Sequence, residues 1–289
     1  MRLNGRRESN NVDDRRGMSG GVKMGLGGGI VAVIIGVIIT IMSGGDLTDA
    51  LQTIDVSAIA PQEQAAPHQF TPEEEELAKF SRQILAGTED VWTQVFDNMG
   101  KTYIPPRMVL YTGSVQTSCG NGTASMGPFY CSGDQSLYID LSFFSEMKRT
   151  LGADGDFAYA YVIAHEVGHH VEYLLGSLDQ AHNQMAQMNK RDANRVSVRL
   201  ELLADFYAGV WAHHDNKMFG SLEDGDLEEA IRCAQVIGDN YLQEKAQGYS
   251  QPETFTHGTS AQRMKWLKLG LTTGDMQRGN TFQLTDSQL

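Results

Sequence analysis

Three cysteines in 289 residues are too few for a disulfide framework. None stands in a CxxC spacing or near a histidine, which argues against a cysteine-based structural zinc site. Basic residues are also short, 23 against 36 acidic, for a formal charge of −13. No dense Lys/Arg run lies outside the N-terminus, so no nucleic-acid partner is expected, because a general nucleic-acid binder needs a basic face to neutralise phosphates. No internal repeat is visible. The length suffices for one large domain or two small ones with a sizeable core, and fixes no oligomeric state.

The chain does contain one long uncharged run, MGLGGGIVAVIIGVIITIM at residues 24–42. Its 19 residues match the length of a bilayer-crossing helix. Arg2, Arg6, Arg7, Arg15, Arg16 and Lys23 precede it, against only Glu8, Asp13 and Asp14, and the remainder of the chain is acidic. The positive-inside rule then predicts a signal-anchor in an inner or plasma membrane: a basic cytoplasmic tail over 1–23, a single transmembrane helix over 24–42, and an extracytoplasmic body. A cleaved signal peptide is the competing reading, but no A-x-A pattern follows the run. In an oxidising compartment Cys119 and Cys131, which bracket CGNGTASMGPFYC, are the expected disulfide, with Cys233 a buried thiol.

Residues 43–70 read as a linker of alanine, glutamine and proline, and order is expected from TPEEEELAKF onward, within a domain spanning 71–289. Thr71 suits a helix cap, Pro72 its first position, and Glu74 the acid of a capping box. Apolar residues at helical spacing run from Leu77 to Leu85, and a second helical pattern follows Gly87. Short strands are expected around Val109 and in SLYIDLSFF, then helices near 157–175, 191–213 and 226–247, with a loose polar tail after about 271. The fold class is α+β, mostly helical with a small antiparallel or mixed sheet, preceded by the transmembrane helix.

The stretch AHEVGHHVEY sits in the first of those later helices. Residues four apart share a helix face, so His165 and His169 can aim at one ion while Glu166 reaches a water bound to it. The flanks FAYAYVIA and VEYLL are strongly apolar, and buried imidazoles and a buried carboxylate need partners that a metal would supply. A catalytic Zn2+ usually takes a third protein ligand and keeps an open position. The pattern HExxHxxGxxH is excluded, because its last positions are Glu172 and Leu175. In ELLADFYAGVW, Glu201 and Asp205 again stand four apart: Glu201 is the expected third ligand, with Asp205 as the alternative. Otherwise Asp205 takes the ring N–H of a zinc-binding histidine, His165 first. The competing structural reading pairs both acids with Arg195 or Arg199 on the same helix.

HExxH with a downstream ExxxD resembles the gluzincin class of zinc peptidases. More closely, LAGTEDVW, GPFYC, YIDLSFF, AHEVGHH, ELLADFYAG and HGTSAQRMKWLKLG together resemble a family of neutral zinc metallopeptidases found as bacterial membrane-anchored proteins. The resemblance implies a zincin-like fold and a hydrolase acting on polypeptide, and it marks His257, in FTHGTSAQR, as a candidate donor to the oxyanion. His170, His213 and His214 read as structural. Arg263 is either a substrate contact or, more simply, a surface ion pair. Residues 125–130 of MGPFYC are a candidate edge strand for an extended substrate, since Pro128 belongs at an edge or bulge. An endopeptidase working on extracytoplasmic polypeptide is the leading reading. An inactive zinc-containing interaction module and a zinc amidase or deacylase on cell-envelope substrates are the alternatives.

Overall fold

The computed structural model describes residues 1–17 and 69–289. The apolar run 24–42 and nearly all of the 43–70 linker lie outside the described residues, and no helix among those described is long and apolar enough to cross a membrane.

A long helix, α1 (Pro72–Asn98), opens the main body. Its start is closed by the expected capping box: the Thr71 hydroxyl accepts from the Glu74 N–H at 3.2 Å, and the Glu74 carboxylate accepts from the Thr71 N–H at 2.7 Å. The helix runs through Gly87 without the expected break.

Strands β2 (Arg107–Tyr111), β5 (Phe129–Cys131) and β6 (Ser136–Asp140) form a mixed sheet with a short N-terminal strand, β1 (Val12–Asp14), in the order β1-β2-β6-β5. The first three strands in that order run parallel and β5 is antiparallel to β6. Strand side chains alternate between faces. Met108, Leu110, Leu137 and Ile139 therefore enter the helical core, while Val109, Tyr111 and Tyr138 meet a separate hairpin of β3 (Ser114–Thr117) and β4 (Gly120–Thr123). The Cys119–Cys131 disulfide, with its Cα atoms 5.8 Å apart, ties this hairpin to edge strand β5.

Seven further helices follow: α2 (Ser142–Leu151), α3 (Asp156–Leu175), α4 (Ser177–Met185), α5 (Lys190–Phe219), α6 (Asp226–Val236), α7 (Asp239–Gln247) and α8 (Ser260–Thr273). The helix expected over 226–247 is thus two, divided at Ile237 and Gly238. Helix α3 lies against α5, and α5 against α8, around Trp92, Tyr161, Phe206, Trp211 and Trp266, all buried. Gly168 sets how closely α3 and α5 approach. A Cβ there would lie 2.9 Å from the carbonyl oxygen of Ala204, inside backbone that has no room to yield.

Two expectations about the ends of the chain are corrected. The tail after about 271 is packed, not loose: Thr281 is fully buried, Arg199 donates to the carbonyls of Thr281 and Leu284, and Lys265 donates to those of Gln288 and Leu289. Polar composition concealed this, because carbonyl groups make many of the contacts and only a few scattered apolar side chains, Met276, Leu284 and Leu289, reach the core.

Nor do residues 1–17 form a separate basic tail. They lie along the body, adding β1 to the sheet and laying Arg6 against Asp215, with Nη2 to Oδ1 at 2.7 Å. Gly87 makes room for that pair, since a Cβ at this position would meet Arg6 Nη2 at 2.8 Å and Asp215 Oδ1 at 2.9 Å. The five arginines of this segment are each paired with a carboxylate, and Lys23 lies outside the described residues.

Candidate metal centre

Helix α3 carries His165, Glu166 and His169 on its inner side, and α5 brings Glu201 and Asp205 across from it. The close approach at Gly168 lets the two polar pairs meet. His165 Nε2 lies 3.2 Å from Glu201 Oε2, and His169 Nε2 lies 3.6 Å from Glu201 Oε1. Zinc bonds of about 2.0–2.1 Å at tetrahedral angles separate neighbouring donor atoms by roughly 3.3 Å. The spacing of these three side chains fits such an ion, and their donor atoms all lie within 4.8 Å of one another.

Each histidine has its other nitrogen held. His165 Nδ1–H donates to Asp205 Oδ1 at 2.8 Å, and His169 Nδ1–H donates to Glu172 Oε2 at 2.8 Å. Both carboxylates are fully buried. With Nδ1 committed as a donor, each ring is left with Nε2 facing Glu201 as the atom that would take a metal. The competing ion pairs do not form: Arg195 and Arg199 instead reach Asp286.

Asp205 is itself gripped from behind. Arg263 Nε and Nη2 donate to its two oxygens at 2.8 and 2.9 Å, and the Tyr161 hydroxyl donates at 2.5 Å. Burial alone would push the Asp205 carboxyl up, but Arg263 and His165 outweigh it and bring it down to about 2. Arg263 is therefore neither a surface ion pair nor free to meet a substrate. The surface reading failed because the helix α8 that buries it was not recognised.

Glu166 has no hydrogen-bond partner among the described residues although only 8% of it is exposed. Burial raises its carboxyl, with His165 and His169 partly offsetting the effect. Burial also raises the Glu201 carboxyl, yet the charges of His257, His169 and His165 prevail and hold it well below the usual range.

His257 stands on the loop before α8. The backbone N–H groups of Thr256, His257 and Gly258 all donate to Asp239 Oδ2, at 2.8, 2.7 and 2.9 Å, and the His257 ring places Nδ1 at 3.2 Å from Asp239 Oδ1. Its side chain is 46% exposed. Nε2 has no hydrogen-bond partner among the described residues, and the ring's charge acts on Glu201.

His170, set aside as structural, links three elements. Its Nε2–H donates to the Ile104 carbonyl at 2.7 Å, which leaves Nδ1 to accept from the Tyr130 hydroxyl at 2.8 Å. Tyr130 lies in β5, so the helix bearing the candidate ligands is bonded directly to the sheet's edge strand. The expected edge over 125–130 is shifted: Ala124–Met126 is a single 3-10 turn, and the strand is Phe129–Cys131.

Glu172 and Asp239 were missed as functional candidates. Glu172 had a signal, its i+3 position after His169; Asp239 had only its place at a helix start. His213 and His214 cap the end of α8 through the carbonyls of Leu271 and Gly274, away from this centre. A polar groove lined by Arg15, Arg107, Asp134 and Tyr138 contains none of the candidate site residues.

A small mixed sheet beside helices that cross at HExxH and ExxxD defines an α+β protein with a candidate His-His-Glu metal centre. Comparison with known proteins gives the family: a family model described as "Putative neutral zinc metallopeptidase" matches residues 1–282. The chain belongs to that family. It is 49% identical over 289 residues to the Escherichia coli protein YpfJ, covering 98% of this chain and 99% of that one. It is also 40% identical over 194 residues to Rv2575 of Mycobacterium tuberculosis, 64% of each chain. No solved structure matches.

Proposed function

We propose that this protein is a zinc-dependent peptidase in which His165, His169 and Glu201 hold the metal and Glu166 is the general base. One observation carries the reading: two Nε2 atoms and one carboxylate converge, while Asp205 and Glu172 occupy both Nδ1 atoms from behind. A buried cluster with ordered tautomers and a free carboxylate beside it is costly to build and has no structural use without an ion.

When bound, zinc supplies Lewis acidity, bringing the pKa of a coordinated water to about 7 and polarising a carbonyl. Glu166, free of protein partners and raised by burial, takes the proton of the attacking water and passes it to the departing amine. His257, oriented by Asp239, donates from Nε2 to the carbonyl oxygen as negative charge develops there. Substrate polypeptide lies extended along the open side of β5, which His170 and Tyr130 hold against the catalytic helix.

The extracytoplasmic location of the domain is part of this proposal, supported by the Cys119–Cys131 pairing, since disulfides persist in oxidising compartments. Association with a membrane would rest on residues 24–42.

The test is cleavage of an unfolded protein pool by the zinc-loaded full chain, beside Glu166→Gln with matched zinc content. Cleavage by the parent alone supports the reading. Equal cleavage by both rules out Glu166 as the base. No cleavage by either at full occupancy favours an amidase or a binding module.

A further inference from the structure

We propose that residues 1–17 and the metal-site domain lie on the same side of any membrane the protein meets, so that no single crossing over 24–42 parts them. The inference stands on contacts of the described residues and holds whether or not the site hydrolyses peptides.

The body is incomplete without the arm. Asp215 on α5 is 1% exposed, and its side-chain partner among the described residues is Arg6, bound through both terminal guanidinium nitrogens at 2.7 and 3.3 Å. Glu89 on α1 is 7% exposed and receives Ser9 Oγ at 2.5 Å, Asn11 Nδ2 at 2.7 Å and Arg7 Nη1 at 2.9 Å. All three come from the arm. With the arm across a bilayer, two nearly buried carboxylates would lose their partners, which a folded protein tolerates poorly.

The backbone gives the same result independently. Ser9 N–H donates to the Arg82 carbonyl at 3.0 Å, Met108 N–H to that of Asn11 at 2.8 Å, and Arg15 N–H to that of Leu110 at 2.8 Å. Strand β1 thereby covers the edge of β2 that would otherwise stand open.

The charge pattern that suggested an opposite-side arrangement has another use. Arg2 pairs with Glu223, Arg6 with Asp215, Arg7 with Glu89 and Asp90, Arg15 with Asp13, and Arg16 with Asp14 and Glu75. A cluster of arginines neutralised in this way fits the acidic surface of its own domain and is not a free cytoplasmic retention signal.

Thiol accessibility in cells making the full chain tests this. Asn4→Cys and, as a second arm position, Asn10→Cys are compared with Tyr249→Cys on the body; all three positions are exposed. The native cysteines stay in place, one pair bonded and Cys233 buried. A membrane-impermeant maleimide is applied before and after permeabilisation. Arm and body positions are expected to label together, either both before or both only afterward. Labelling of one before and of the other only after permeabilisation overturns the proposal.

Discussion

Replacing Arg263 by methionine isolates how much of the metal centre depends on a residue that is not itself a candidate ligand but grips Asp205 behind one. The substitution keeps the bulk of the side chain but removes both hydrogen bonds, at 2.8 and 2.9 Å, to a carboxylate with no solvent exposure. Breaking a buried ion pair from one side costs about 3–5 kcal/mol, because the surviving charge is left uncompensated. Asp205 then retains only the Tyr161 hydroxyl and the His165 N–H, and it escapes part of the cost by accepting a proton. A protonated Asp205 no longer favours the Nδ1–H tautomer of His165, so zinc binding weakens as well, by about 10–100-fold as for other residues that orient metal ligands.

Two measurements on the purified full chain separate these effects: denaturant unfolding of the metal-free protein, and zinc affinity by chelator competition. Arg263→Lys keeps the charge without the planar fork and is expected to fall between parent and methionine variant in both. Arg195→Met is the control, since its pairs with Asp192 and Asp286 at 3.7 and 3.6 Å are exposed and worth less than about 1 kcal/mol. If Arg263→Met bound zinc like the parent and unfolded like Arg195→Met, the role assigned to the Arg263–Asp205–His165 chain would be wrong.

Glu172→Gln preserves an acceptor for His169 Nδ1–H but not its charge, and should weaken zinc binding about tenfold in the same competition assay. Gly168→Ala would ordinarily stabilise a helix by about 0.5–1 kcal/mol, but here its Cβ meets Ala204 backbone, so unfolding should instead show a loss of about 1–3 kcal/mol. Burial depresses the His170 imidazole to about 4, only partly relieved by its bond to Ile104, against about 6.5 when unfolded. Its contribution is therefore complete above pH 6.5 and lost as pH falls through 4, about 3 kcal/mol across that window, and His170→Gln should flatten this part of the stability–pH curve. Reductant should lower the stability of the parent by about 3 kcal/mol, as expected for a loop of this length, and leave a Cys119→Ser, Cys131→Ser protein unchanged.

What could be read from the sequence was whatever is local in it. His165, Glu166 and His169 lie within about one helical turn, Glu201 and Asp205 within another, and the Thr71–Glu74 capping box spans four residues, so spacing alone makes them legible. The meeting of the two helices follows from the expectation that one ion draws ligands from both, against the competing pairing of the two acids with Arg195 or Arg199. Glu172 stands where HExxHxxGxxH would carry its glycine, so that motif gives it no role, and only its i+3 spacing after His169 marks it as a partner of that ring.

Contacts between distant residues had no such local mark, and the arm shows how they mislead. Arg6 and Asp215 are 209 positions apart, and nothing in the neighbourhood of either names the other. Composition registered them only as a basic segment and an acidic remainder, separated by an apolar run, which is also the pattern of a signal-anchor. The same asymmetry has opposite meanings according to whether the charges face each other or face away. A signal-anchor leaves its arginines solvated at the membrane surface, whereas here each arm arginine has a carboxylate and Gly87 gives up a side chain so that one such pair can fit. That glycine was the available clue. Read as a break between two helices it merely divides α1, but a glycine within an otherwise continuous helical pattern also marks a close approach by another part of the chain, here Arg6 and Asp215.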